Sequence, residues 1–556
     1  MLATLFLSCI HAAGGNTLTV TSYADNLGNP FTLRTAISKS KDGDTIVFSD
    51  ALNGFTITLL NGELLITNSL TIIGSADASL PIVGGSVTNS LNKRVFHVTS
   101  PAMGTRTVQI SGLQLQGSVA GANGTNGNAG SPGGSAGGEP ANGGGGAIYC
   151  DVNTLLVVSN CYFRGCHAVG GNGGNAYGGN CVPASQGGLG GSACGGAIFS
   201  LGDCFLFDST FYTNTAVGGN GGTGAQGGNG GGAGSGSGGA LCIGYHAGND
   251  LKIVNCTFYS NVADGGNGGA GGAGYYCITE ALPAKGGVGG KGGDAQGGAI
   301  YIDQIDIPAT GSIHSTILMN YCSPGTGGTG GAGVFGGNSG ANGPAGSASG
   351  CGMYLAALPI PVSNTLFAEN HGLPNNVLAS GPDVFGPVQS QGYNLVGAAD
   401  NMSGPWINSD LLGTVNNPLK ARLGAFQNNG GDMPTIAPQE GSPAIDAGRQ
   451  GGFPFDQTGQ MRPVPVAGIV NGGDGSDIGA FEVQCSTATP LLVITVTGQT
   501  LTISWPAPSF CYVLQQSPDL LNWVNSVFPM NMSGAQNQVI LNPAPAGPIF
   551  FRLIHL

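Results

Sequence analysis

Short apolar runs, each opened by paired glycines, recur through the middle of the chain about every fifty residues. They read GGAIYC at 145–150, GGAIFS at 195–200, GGALC at 238–242, GGAIY at 297–301 and, more loosely, GCGMYL at 350–355. A second apolar run follows each opening, and these align without gaps: SNCYFRGC ending at Cys166, DSTFYTN at Asn214, NCTFYSN at Asn261, HSTILMN at Asn320 and NTLFAEN at Asn370. One column of this alignment holds Cys161, Ser209, Cys256, Ser315 and Thr365. The next but one holds Phe163, Phe211, Phe258, Ile317 and Phe367, and three further on stand Cys166, Asn214, Asn261, Asn320 and Asn370. The first two columns keep the period of two that a strand face requires. Runs this short, β-branched or aromatic and bounded by glycine, do not read as helices.

A unit that cannot bury its own apolar face is stabilised by stacking on its neighbours, so the reading is all-β, a parallel β-solenoid. Stacking turns each column into a ladder of small residues, aromatic rings or hydrogen-bonding asparagines. Phe163, Phe211, Phe258 and Phe367, with Asn214, Asn261, Asn320 and Asn370, are therefore expected to be structural. The asparagines are placed at turns because Asn tolerates the left-handed conformation.

Between successive units lie glycine-rich inserts at roughly 117–146, 168–196, 217–239, 264–298 and 324–350. Each follows the Asn column and precedes the next GGA strand, so all five are expected to leave one corner and form a second layer. A free Gly-rich segment is a random coil. Five parallel inserts anchored at both ends lose less entropy on packing, which favours a polyglycine-II-like bundle with three residues per turn.

Composition fits this picture. Charged residues are only 8% of the chain, while Gly reaches 106 of 556 with apolar residues still plentiful, so neither wholesale disorder nor collagen is indicated. A net charge of −13 with 15 Lys and Arg argues against a nucleic-acid partner and against anionic membranes. The 14 cysteines lack paired zinc spacings. Cys150, Cys161, Cys204, Cys242 and Cys256 read as small core hydrophobes; Cys166, Cys181, Cys194, Cys277, Cys322 and Cys351, beside the inserts, are the candidates for cross-links. Residues 1–14 look like a signal-peptide remnant without its basic region, and no later run is long enough to span a membrane.

The two flanks carry a resemblance. Phe31-Thr32-Leu33-Arg34-Thr35-Ala36-Ile37 and Asp44-Thr45-Ile46-Val47-Phe48 are similar to the CSLREA-like N-terminal segment of bacterial extracellular right-handed parallel β-helix proteins, with Phe31 and Thr35 replacing the Cys and Glu of that wording. GSPAIDAG at 441–448, DQTGQMRP at 456–463 and DIGAFE at 477–482 resemble the choice-of-anchor tail of the same class. The resemblance implies a right-handed coil, an N-terminal cap over 15–116 including the first coils, repeats over 117–370, and last coils with a closing tail over 371–485. It also implies an extracellular or cell-surface location. Residues 486–556 alternate apolar and polar positions between turns and read as a small antiparallel β-sandwich, fibronectin-like, with Trp505 and Trp523 as core anchors.

Signs of chemistry are sparse. Asp446, Asp456, Arg462, Asp477 and Glu482 in the tail read as a salt-bridged cap. Asp474 and Asp477 of GGDGSD are a candidate Ca²⁺ site through carboxylate and carbonyl oxygens, and no other cofactor is expected. Lyases acting on acidic polysaccharides need Ca²⁺-binding carboxylates and a basic proton acceptor, and hydrolases need clustered Asp. The repeats carry single acidic residues such as Asp151, Asp208 and Asp264, and none of the GxSxG, P-loop or HExxH strings occurs. The leading expectation is a non-catalytic, adhesin-like protein contacting polysaccharide or surface glycans, of undetermined oligomeric state. A polysaccharide lyase or glycoside hydrolase is the first alternative, and an ice- or surface-binding protein using the Gly-rich layer is the second.

Overall fold

The computed structural model describes residues 15–74, 82–85, 92–128, 133–135, 143–178, 184–246, 249–275, 282–303, 311–373, 381–399, 403–466, 468–486, 488–534 and 536–555. The candidate leader at 1–14, Cys181 and Cys277 lie outside these residues.

Ten short strands, from Thr56–Leu59 through Thr210–Tyr212 and Thr257–Tyr259 to Leu411–Thr414, form one parallel sheet in which spatial order equals chain order. That order requires the chain to wind once around between neighbouring strands, which makes the body a parallel β-solenoid. Its other faces are a seven-stranded sheet, parallel after its first pair, and an 18-stranded composite whose two rows of strands join on Val384–Gly392.

Three residue columns turn the corners, all with positive φ. The first Gly of each pair is one: Gly145, Gly195, Gly238, Gly297 and Gly350 lie between +56° and +70°. The second column is Asn160, Asp208, Asn255, His314 and Asn364, at 47–51°, the residue types that visit the left-handed region most readily. The third is Gly165, Thr213, Ser260, Met319 and Glu369. The left-handed residue at that corner is thus the one before each ladder asparagine. The asparagine itself turns inward, where its amide holds the coils together.

Phe163, Phe211 and Phe258 are fully buried, their rings stacked with centroids 4.6 and 4.5 Å apart and nearly parallel. Ile317 and Phe367 continue the column in register. Beside it, the Nδ2 groups of Asn214, Asn261 and Asn320 donate to the Oδ1 of the next asparagine at 2.8–2.9 Å, and that of Asn370 donates to Asp383 at 2.7 Å. Each also donates to a strand carbonyl, so these buried amides are satisfied along the stack.

At the N-terminal end the helix Leu33–Lys39, capped by the Thr32 hydroxyl, closes the first coil, with Arg34 paired to Asp25 at 2.6 Å. At the other end, 493–555 form antiparallel sheets of four and three strands. Trp505 is 2% exposed in their core. Trp523 is not the second core anchor: it is partly exposed and flanked by the Arg552 guanidinium, 4.3 Å from its ring.

The glycine inserts pack as extended strands with a period of three. In GGNGGT at 218–223 the first Gly of each triplet donates to the next insert (Gly218 to Asp264, Gly221 to Asn267). The second donates across to returning chain (Gly219 to Gly191, Gly222 to Gly188), at 2.8–2.9 Å throughout. The same pattern recurs at Gly265, Gly268 and Gly271 and at Gly266, Gly269 and Gly272. A Cβ on Gly222 would lie 2.0 Å from the carbonyl oxygen of Gly174, so no other residue fits there.

The cysteines sort differently from the sequence reading. Cys242 is not a free core residue but pairs with Cys194, joining the corners that flank two GG turns, while Cys485 pairs with Cys511. Cys166, Cys322 and Cys351 are free and buried. Proximity to an insert does not expose a thiol here, because the ordered layer covers that corner.

Candidate functional site

Strands Thr154–Ser159, Asp203–Phe207 and Leu251–Val254 carry apolar residues on both faces. Leu156, Val158, Cys204, Leu206 and Ile253 point into the coil, which leaves Leu155, Val157, Phe205, Phe207 and Val254 facing outward. An uninterrupted apolar strand is one covered on both sides, and the cover is the tail segment around 431–459. Between sheet and tail lies a cavity of about 410 Å³. Val157, Phe205 and Phe207 face Phe453 and Phe455 across it; Gln109 and Lys252 lie on the sheet side, and Asp208 and Asn255 form its polar end. The Lys252 ammonium stands 5.8 Å from the Phe205 ring centre.

The second corner column positions both the polar end and the roof. Asn255 Nδ2 donates to Asp208 Oδ1 at 3.1 Å and to the Phe455 carbonyl at 3.0 Å. Asn364 Oδ1 accepts from the Arg449 amide at 2.7 Å. His314 donates through Nε2 to the Gln450 carbonyl at 2.9 Å and accepts through Nδ1 from Arg462. Burial, and then the Arg462 charge, hold that imidazole well below its usual range, so it is neutral. Gln457 bridges the Thr210 and Thr257 hydroxyls at 2.8 and 2.5 Å. Burial pushes the Asp208 carboxyl up to about 7. Asn255 is 5% exposed, and its Oδ1 has no hydrogen-bond partner. The amide orientation is fixed, since reversal would turn its oxygen toward the Phe455 carbonyl oxygen.

The tail carboxylates form a cage around backbone amides rather than the expected salt-bridged cap. Arg462 and Glu482 are the one ion pair of this group, 3.4 Å apart with both side chains fully buried. Glu482 also accepts from the Val464 and Asp477 amides; Asp456 accepts from Thr458, Gln460 and Glu482, and Asp446 from Val466. Four Asp or Glu and a single Arg cannot pair one to one, and backbone N–H groups supply the missing positive dipoles.

The two candidate Ca²⁺ ligands serve separate loops. Asp477 is fully buried and accepts from the Asp446 and Val483 amides, and burial pushes its carboxyl upward. Asp474 accepts from Gln450, from the Ser476 amide and from the Ser476 hydroxyl. Among the described residues no three His, Cys, Asp or Glu side chains converge as a ligand set.

A second surface is the outer face of the glycine layer. Its third-position residues stack in rows: Asn123, Asn172, Asn220, Asn267 and Thr326 in one, and Asn126, Asn175 and Thr223 in the next, all exposed. Each Asn Oδ1 accepts from the backbone amide of the residue above, at 2.7–2.9 Å. The side-chain oxygens being engaged, what the rows present outward is their NH₂ groups. Rows of this kind are spaced about 4.8 Å along the stack and about 9.3 Å along the chain.

The groove is absent from the sequence reading, although DCFLFD at 203–208 held a signal, being apolar at both strand parities. What covered that second face was not legible, because the roof comes from a segment some two hundred residues downstream. No family model matches the chain, and no curated protein matches it.

Proposed function

We propose that this chain is a non-catalytic, extracellular, adhesin-like right-handed β-helix that contacts polysaccharide through the outer face of its glycine layer. The observation that carries the reading is the double row of exposed asparagines, held at fixed spacing by backbone bonds to their own oxygens. A polymer docking there meets a flat, uncharged array of amide donors already ordered, so binding spends little side-chain entropy. The disulfides Cys194–Cys242 and Cys485–Cys511 support an oxidising, extracellular setting.

The test is affinity electrophoresis and pull-down against insoluble plant, algal and bacterial polysaccharides, with and without Ca²⁺, scoring new reducing or unsaturated ends in parallel. Retention without cleavage, lost when Asn172, Asn220 and Asn267 are all changed to Ala, is the expected result. Cleavage of any polymer, or retention unchanged in that variant, overturns the reading. The same plane also suits ice, since Thr223, Thr326 and Thr329 are exposed on it. Partition into growing ice, with retention on no polymer, replaces the glycan reading with that one.

A further inference from the structure

We propose that the groove between the coil face and the tail is a separate sugar-binding site, taking one or two pyranose rings with their hydroxyls on Asn255 and Asp208. Three observations on its lining select that class of ligand.

Asn255 lines the cavity, and its Oδ1 is a buried acceptor without a partner. Buried polar atoms are normally paired, and an exception marks a group kept for something else. The ligand therefore brings a donor to that point. Beside it, the Asp208 carboxyl accepts the Asn255 amide through Oδ1, so its other oxygen is available to a neighbouring hydroxyl.

The rest of the lining mixes ring faces, Phe205 and Phe207 on the sheet side and Phe453 and Phe455 on the tail side, with polar residues such as Ser159, Asn160, Asp432 and Thr458. A pyranose has one face of C–H groups that lies against such rings and a rim of hydroxyls that both donate and accept. Its volume requirement is met, since about 410 Å³ falls within the range of small-ligand pockets. Lys252 and Gln109 on the sheet side supply donors to ring and hydroxyl oxygens. A hydrocarbon fits less well, since it leaves Asn255 Oδ1 unpaired.

The site does not depend on the plate, which lies on a different part of each coil, so the two readings fail separately. Saturation-transfer NMR and calorimetry on the full chain, with glucose, galactose, N-acetylglucosamine, galacturonate and cellobiose as probes, test it. At least one probe is expected to bind. Asn255→Gly keeps the left-handed backbone accessible and removes the acceptor, and Phe205→Ala removes a wall without touching the roof's hydrogen bonds. Each is expected to weaken binding by about tenfold or more, the scale of one well-made contact. The control variant Lys39→Ala, at the exposed end of the N-terminal helix and outside both surfaces, is expected to bind as the parent does. Failure of every probe, equal binding by both groove variants, or an equal loss in Lys39→Ala overturns the proposal.

Discussion

In the coils, Phe211 lies between Phe163 and Phe258 with no exposed surface. In the layer beside them, Gly222 lies between neighbouring chains with no room for a methyl group. Both regions repeat along one axis, yet the coil is held by what its side chains bury, and the layer by what its backbone bonds. A coil tolerates an insert of any length because its register is set by the ladders: successive asparagines are 47, 59 and 50 residues apart and still bond alike. Inner limbs of the layer such as GGNGGT tolerate no side chain at two positions in three and put their chemistry on the third, whereas edge limbs such as GNSGANGPAG keep glycine at only one position in three. One stacking period thus yields an apolar core and a polar plate, and the plate inherits its regularity from the core.

The comparison breaks most visibly at the rings. Phe211→Ala removes a fully buried aromatic from the middle of a stack and is expected to cost about 3–5 kcal/mol, read as a lower urea midpoint for the coils. If the layer is only draped on the coils, its glycine amides keep their exchange protection in that variant. If the coils order it, protection of Gly219 and Gly222 falls with the midpoint, which is the expected result.

A pH scan separates the regions next. Burial pushes Asp208 up to about 7 and Asp383 up to about 6, and raises Asp477 and Glu482, which lie beside one another in the tail. All belong to coils or tail. Groups with a raised folded pKa bind more protons folded than unfolded, so their stabilising effect is complete below about pH 4 and is lost as pH rises through the folded value. His314 works in the opposite sense, because it is held neutral and costs stability once pH drops below about 6.5. Between pH 6.5 and 8 the carboxyls act, joined toward pH 8 by buried thiols such as Cys161, Cys166 and Cys204 that burial raises and that work in the same sense, so the melting temperature is expected to fall by several degrees. Asp208→Asn, which keeps the left-handed turn, flattens that slope. A profile rising over this range sinks the assignment.

The ladders and the existence of a second layer could be read in the sequence because both rest on local periodicity: two for Phe163 and its partners, three for GGNGGT. The left-handed corner was misplaced by one residue, since Thr213, Ser260 and Glu369 do not look like turn residues and only the closing of a coil requires it of them. The groove was not legible for a different reason. Its floor, Phe205 and Phe207, is coded in one strand, but its roof, Phe453 and Phe455, is brought by a tail whose docking depends on polar corner residues that each look ordinary alone. The partner of Cys242 escaped likewise, because Cys194 precedes a GG pair and Cys242 follows the next one, and no local pattern relates them.

Within the layer the effects are smaller and more diagnostic. Gly222→Ala places a methyl where a carbonyl oxygen lies 2.0 Å away, so the triplet must move. The overpacking cost of about 1–3 kcal/mol is expected to appear as lost amide protection confined to the third and neighbouring inserts, with the urea midpoint of the coils little changed.

Asn220→Ala is the mildest change and the sharpest test of what the plate is. Asn220 Oδ1 accepts from the Asn267 amide at 2.7 Å, while its own amide donates to Asn172 Oδ1 at 2.8 Å, so the substitution deletes one rung and leaves the other. The rung is exposed, so water takes the place of the lost oxygen, and the net cost is expected to be about 0.5–1.5 kcal/mol. The informative readout is local. Exchange at the Asn267 amide is expected to speed up, while Gly221 and Gly222, whose partners are backbone carbonyls, keep their protection. Unchanged exchange at Asn267 would mean that the asparagine row only decorates a layer ordered by glycine. Accelerated exchange means that the exposed row fixes its own spacing, which is the property a repetitive polar binding face requires.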